Sequence, residues 1–313
     1  MMRRLSIVEL LASALCLWAA WYHTPAGALV RSAGARVFGV RTSARPLLAY
    51  YGAGVYGGRV AAAPVLAGPV PPAQALGYGA WAALAEVDAA ERSQLGIASP
   101  QPAQLAAQLR ALSARLGSDE AGVLALFCGE EPARYARERA GSDSLEDLAR
   151  QLPPRYADRI ALASQALMLG EAYALAWPLP ESAHITSPFG VRDHPVLGTR
   201  NLHTGVDLGV PVGTLVRASG EGIVRRASKD SVNGQIVVLD HGRGVVTVYC
   251  HNDELLVRDG EKVGRGQPIS RSGNSGRSTG PHLHYQLDLA GQPVDPLRYR
   301  AGKPKVVALD AED

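Results

Sequence analysis

Five side chains in the C-terminal half of the sequence could act on one chemical centre. His203 and Asp207 stand four residues apart in NLHTGVDLGVPVGT, His282 and His284 form an HxH in GPHLHYQL, and His251 closes a YxH that begins at Tyr249. Zinc in hydrolases takes nitrogen and oxygen donors and favours three protein ligands, which leaves a fourth position for water. His203, Asp207 and one of the paired histidines meet that count. Gly205 and the β-branched Thr204 and Val206 make a helix improbable between the first two, so a turn and a strand are expected to present them. On a strand, side chains alternate, so His282 and His284 share a face. One can bind metal while its neighbour faces substrate. His251 is expected at the end of a strand from Val245, with Cys250 pointing to the opposite face.

Taken singly, these signals are weak, because HxxxD pairs arise by chance and an HxH is only somewhat more specific. Their joint occurrence in a Gly-rich β region is what carries weight, since buried imidazoles without partners are costly. His184 and His241 read as turn or strand-end residues, and His194, within RDHPVLG, as lining a groove. SGNSGRSTGP around Ser275 has the look of a serine-protease nucleophile loop, but Asn274 and Arg277 interrupt the likeness. A Gly-rich turn leading into the HxH strand is the expected reading.

Strands are expected at Leu215–Ala218, Gly222–Arg226, Gln235–Asp240, Val245–His251 and His282–Asp288, with turns at Asn233-Gly234, His241-Gly242 and Asp259-Gly260. Upstream the period is helical: Leu105, Leu109, Leu112 and Leu116 share a face, and Gly117 and Ser118 end that helix. Asp119 is expected to cap the next helix, and Ser144 with Asp147 resembles a capping box. Tyr156, Ile160, Ala163 and Leu167 mark a last helix running towards Trp177. The fold class is therefore α+β and multidomain, a helical N-terminal domain followed by an antiparallel β domain.

The expected boundaries are 1–28, a signal peptide or membrane anchor; 29–76, a loose Gly/Ala/Pro-rich segment; 77–177, the helical domain; 178–182, a linker at Pro178-Leu179-Pro180; 183–300, the β domain; and 301–313, a tail. Arg3 and Arg4, the apolar run Leu10–Trp21 and the small-x-small pattern at Ala26-Gly27-Ala28 make an export signal, which places the folded part in the periplasm or cell envelope, or outside the cell. Cys16 lacks a lipoprotein box. Cys128 and Cys250 then remain, and they read as two buried thiols in separate domains. A formal net charge of +3 over 313 residues, with scattered Arg, argues against nucleic acid as a partner. Nothing in the sequence sets an oligomeric state.

From about Thr186 to Pro296 the order and spacing of blocks resembles the lysostaphin/LytM-type zinc metalloendopeptidases: TSPFGVRDHPVLG, NLHTGVDLGVPVGT, ASGEGIV, the YxH at Tyr249–His251, the GxxVxxGQ-like stretch Gly260–Gln267, GNSGRSTGPHLHYQL and PVDP. The resemblance implies one Zn2+ held by His203, Asp207 and His284, with His251 and His282 as the catalytic pair. It implies hydrolysis of peptide bonds in peptidoglycan, with envelope regulatory proteins as further partners. The alternative is a non-enzymatic regulator, an amidase activator or peptidoglycan-binding protein whose site is covered by the N-terminal segment. The helical region, with LPPRYADRIALASQAL, resembles a degenerate lytic-transglycosylase lobe, lacking any acidic residue between Glu9 and Glu86.

Overall fold

The computed structural model describes residues 70, 72–85, 87, 92–93, 101–180, 182–193 and 200–300. The expected export segment, nearly all of the loose segment, His194 and the tail lie outside them. Among the described residues no helix is long and apolar enough to cross a membrane.

Helix α1, Pro72–Ala85, begins inside the segment expected to be loose. Gly77 and Gly79 weaken its intrinsic propensity, but packing offsets this: Ala80, Ala83 and Leu84 are fully buried. In α2, Pro102–Leu116, the four leucines of the apolar stripe are all buried, and Gly117 caps the end. Ser118, not Asp119, caps α3, Asp119–Cys128, accepting from the Ala121 N–H at 3.1 Å. Asp119 sits one residue further in, where its charge faces the positive helix end. After α4, Glu130–Arg139, Ser144 accepts from the Asp147 N–H at 3.2 Å and opens α5, Leu145–Arg150. Tyr156 lies in a 3-10 turn before α6, Ala157–Ala174.

The C-terminal half is a ten-stranded antiparallel sheet plus a two-stranded hairpin. Its strands are β1 (His184–Ser187), β4 (Val206–Gly209), β5 (Leu215–Arg217), β6 (Gly222–Asp230), β7 (Gly234–Gly242), β8 (Val245–Leu255), β9 (Lys262–Val263), β10 (Pro268–Ser272), β11 (His282–Leu289) and β12 (Gln292–Val294). The order is β1-β4-β11-β8-β7-β6-β9, with β10 on β8 and β5, and β12 on β11. The hairpin is β2 (Gly190–Asp193) with β3 (Arg200–His203). All five expected strands are present, most of them longer than expected. On β11 burial alternates strictly: Leu283, Tyr285, Leu287 and Leu289 are buried, and the residues between them are not.

Each half has a core of its own, and a third buried cluster joins them. Met168, Leu169, Ala172 and Tyr173 of α6 pack in one buried cluster with Val245, Leu287, Leu289, Val294 and Tyr299 of the β half. The segment expected to be a linker is tied down as well: Leu179 is buried in the sheet's own core, Pro178 O accepts from the Arg217 N–H at 2.9 Å, and the Trp177 ring lies 5.4 Å from that of Tyr285. Physically, α6 carries apolar residues on two faces, one for the helices and one for the sheet, and the second face leaves no free hinge.

Candidate metal centre

Antiparallel pairing brings the distant residues together. Asp207 on β4 lies directly opposite His284 on β11, and the tight turn at Thr204-Gly205 carries His203, the last residue of β3, back over them. Two strands, and not a turn and a strand, therefore present His203 and Asp207. Gly205 is required at this turn, because a Cβ there would lie 2.4 Å from Tyr285 O and 2.8 Å from His284 Nε2.

Three donor atoms converge. His203 Nε2 is 3.0 Å from Asp207 Oδ1 and 3.0 Å from His284 Nδ1, and His284 Nδ1 is 2.9 Å from the same carboxylate oxygen. His203 Nδ1 donates to Pro188 O at 2.7 Å, so in the neutral ring Nε2 presents a lone pair. A tetrahedral ion with bonds of roughly 2.0–2.2 Å separates its donors by roughly 3.3 Å, so slight spreading would let these three hold a metal. Burial alone would raise the Asp207 carboxyl, but hydrogen bonds and charge from His203 and His284, when these rings carry a proton towards it, outweigh burial and hold the group well below the usual carboxylate range. Asp207 is therefore an anion, as a ligand must be.

His251 and His282 stand beside this triad with ring centroids 4.8 Å apart. His251 Nδ1 donates to Ser275 O at 2.9 Å and His282 Nδ1 to Gly280 O at 2.8 Å, so both neutral rings turn an unprotonated Nε2 inward. Burial, against the Ser275 hydrogen bond, lowers the His251 pKa and favours that neutral form.

A break in strand regularity aims His251. Gln235 pairs with Asn252 and Val237 with Tyr249, so β8 carries one extra residue there, and His251 takes the left-handed conformation at φ 64°. Plain alternation expects Cys250 on the face away from the site. Instead Cys250 is the register partner of His284, on the metal side of the sheet, and the bulge swings His251 back to that side. Burial pushes both the Cys250 and Cys128 thiols up to about 12, and both are free and buried. Neither offers a thiolate ligand.

The hydroxyl of Ser275 donates to Asn252 O at 2.5 Å and accepts from the Gln235 N–H at 3.0 Å, which ties the Gly-rich loop to the sheet and leaves no role as a nucleophile. His241 lies near the end of β7, bonded to Glu221 O and Thr247 Oγ1, each at 2.7 Å. Of two residues near the centre, Arg192 went unassigned in the sequence and His184 was read as a turn or strand-end residue, which it is. Arg192 Nη2 is 3.4 Å from Asp207 Oδ2, and His184 heads β1, in the cross-strand row of His282. Only strand pairing reveals either placement.

Residues 201–296 match Peptidase family M23. The chain is 42% identical over 126 residues to the DD-carboxypeptidase/endopeptidase Mpg of Neisseria meningitidis serogroup B, spanning 40% of this chain and 29% of that protein. It is 42% identical over 123 residues to the peptidoglycan DD-endopeptidase ShyA of Vibrio cholerae, spanning 39% of this chain and 29% of ShyA. The match to ShyC of the same organism is 42% over 108 residues, 34% of this chain and 25% of ShyC. The chain thus spans under a third of the length of these relatives. The crystal structure of a zinc-containing peptidase from Vibrio cholerae is 37% identical, over 42% of this chain and 41% of that one, with a TM-score of 0.39.

Proposed function

We propose that this chain, whose residues 201–296 match Peptidase family M23, is a zinc-dependent endopeptidase that hydrolyses peptide bonds in the stems or cross-bridges of peptidoglycan. One observation carries the reading: two imidazole nitrogens and a carboxylate oxygen converge within 3.0 Å of one another, with two further histidines beside them. His203, Asp207 and His284 would hold one Zn2+, whose Lewis acidity acidifies water and polarises the scissile carbonyl. His251 and His282 both direct Nε2 inward, so one accepts the proton from the attacking water. The other, once protonated, donates to the developing oxyanion. Carbonyl oxygens at Ser275 and Gly280 fix both tautomers before substrate arrives.

The relatives' names supply the substrate class. Residues 1–28 would direct the chain to the periplasm or cell envelope, where that polymer lies. A regulator with a covered site gains no support from the described helices. They pack on the buried face of β11 at Leu287 and Leu289, roughly 10 and 17 Å along the strand from His284. Digestion of purified sacculi by the zinc-loaded chain tests the proposal. Fragments with new amine and carboxyl ends support it, while unaltered sacculi or new sugar-chain ends refute it.

A further inference from the structure

We infer that His184 forms the wall of the cleft that receives a carboxylate of the substrate peptide next to the scissile bond. The inference rests on the endopeptidase reading and extends it to specificity.

β1 is the edge strand of the sheet and pairs with β4, which in turn pairs with β11. Gly209 is the register partner of His184 on one side and of His282 on the other. Residues opposite one another in antiparallel strands share a face, so His184, Gly209 and His282 form one row on the face that holds the metal ligands. The row lies one pleat period, roughly 7 Å, from the row of Asp207 and His284. Gly209 makes the placement possible: a Cβ there would lie 2.7 Å from the ring of His184. The imidazole therefore lies over bare backbone, exposed, on the flank of His282.

From His184 to Arg192 the sequence is HITSPFGVR, and from Val210 to Thr214 it is VPVGT, with no acidic residue in either stretch. Arg192 is exposed and reaches the outer oxygen of Asp207, on the row next to that of His184. An exposed imidazole N–H over bare backbone suits a carboxylate, which accepts from it. The distance from the metal row matches an extended peptide residue or two beyond the scissile amide.

Binding of two synthetic peptides tests this, one with a free carboxylate on the residue adjoining the scissile amide and its carboxamide twin. Kd is measured by calorimetry with the zinc-loaded full chain carrying His282→Ala, so that turnover does not intervene. The carboxylate form should bind roughly tenfold more tightly than its twin, as one charge-assisted contact allows. Adding His184→Ala should bring the ratio close to one with zinc content unchanged, and His184→Gln, which keeps an N–H donor, should restore part of it. Equal affinity for the twins, no binding of either, or a preference that survives His184→Ala overturns the inference. Because Kd does not depend on cleavage, failure of the parent chain to cut either peptide would count against the endopeptidase reading alone.

Discussion

His203 Nε2 and His284 Nδ1 stand 3.0 Å apart although 81 residues separate them in the chain. With the other ring nitrogen of His203 donating to Pro188 O, a neutral His203 turns its Nε2 lone pair towards His284 Nδ1 and the Asp207 carboxylate, and a cation can bridge the three. A cation bound by the three would therefore stabilise the fold.

Removal of zinc by a chelator should lower the melting temperature, and re-addition should restore it. An ion that binds only the folded state at a free concentration of 100 times its Kd contributes about 2.7 kcal/mol. Scanning calorimetry with and without chelator measures the shift. His203→Ala should purify without stoichiometric zinc, and a full complement of metal in that variant would remove His203 from the ligand set.

His251→Ala and His282→Ala should retain zinc, because neither ring nitrogen belongs to the converging triad. Each should lose on the order of 10²–10⁴ in turnover, the usual contribution of one acid-base group. Metal analysis alongside the rate on a soluble peptide checks both halves. A variant with near-parental turnover has no part in proton transfer.

The local spacing of ligands was legible in the sequence, and their convergence was legible only through family resemblance. HxxxD and HxH are short-range patterns, whereas the pairing of β11 with β4 and β8 is not written in any window of ten residues. The bulge at His251 left no sequence signal, since a left-handed histidine looks like any other. The joined core did leave one: from Ile160 to Ala174 α6 is apolar on more than one face, the mark of a helix buried on two sides. Helix α1 was hidden by the glycines and alanines that let it pack.

Separating the halves should therefore cost stability. A fragment starting at Ser182 would expose Val245, Leu287, Leu289 and Tyr299, and should bind apolar dyes and unfold at lower denaturant than the full chain. In the full chain, Leu287→Ala should cost about 2–5 kcal/mol. Arg243→Ala, which cuts ion pairs to Glu120 and Glu171, should cost less than about 1 kcal/mol because the arginine is partly exposed. Urea titrations would show whether apolar contact, and not the ion pairs, holds the halves together; equal losses in the two variants would contradict that.

His241 should make stability depend on pH. Burial lowers its pKa, opposed by the hydrogen bond to Glu221 O and the charge of Asp240, so the folded chain favours the neutral ring. The unfolded chain binds the proton more readily, so this contribution is present above the ordinary histidine value and is lost as pH falls below it towards the folded pKa. The urea midpoint should fall between pH 7.5 and pH 5.5, and His241→Gln should flatten part of that slope. An unchanged slope in the variant would assign the dependence to other groups.

The most direct test of peptide-bond hydrolysis at this centre is digestion of a cross-linked, disaccharide-bearing muropeptide in water enriched in ¹⁸O, with the products weighed by mass spectrometry. The zinc-loaded chain should release two peptides, one carrying a single ¹⁸O in its new carboxyl group, with the sugars unchanged, and Asp207→Asn or a chelator should abolish the reaction. Products without the label, a change of mass confined to the sugars, or cleavage that persists in Asp207→Asn would contradict the account.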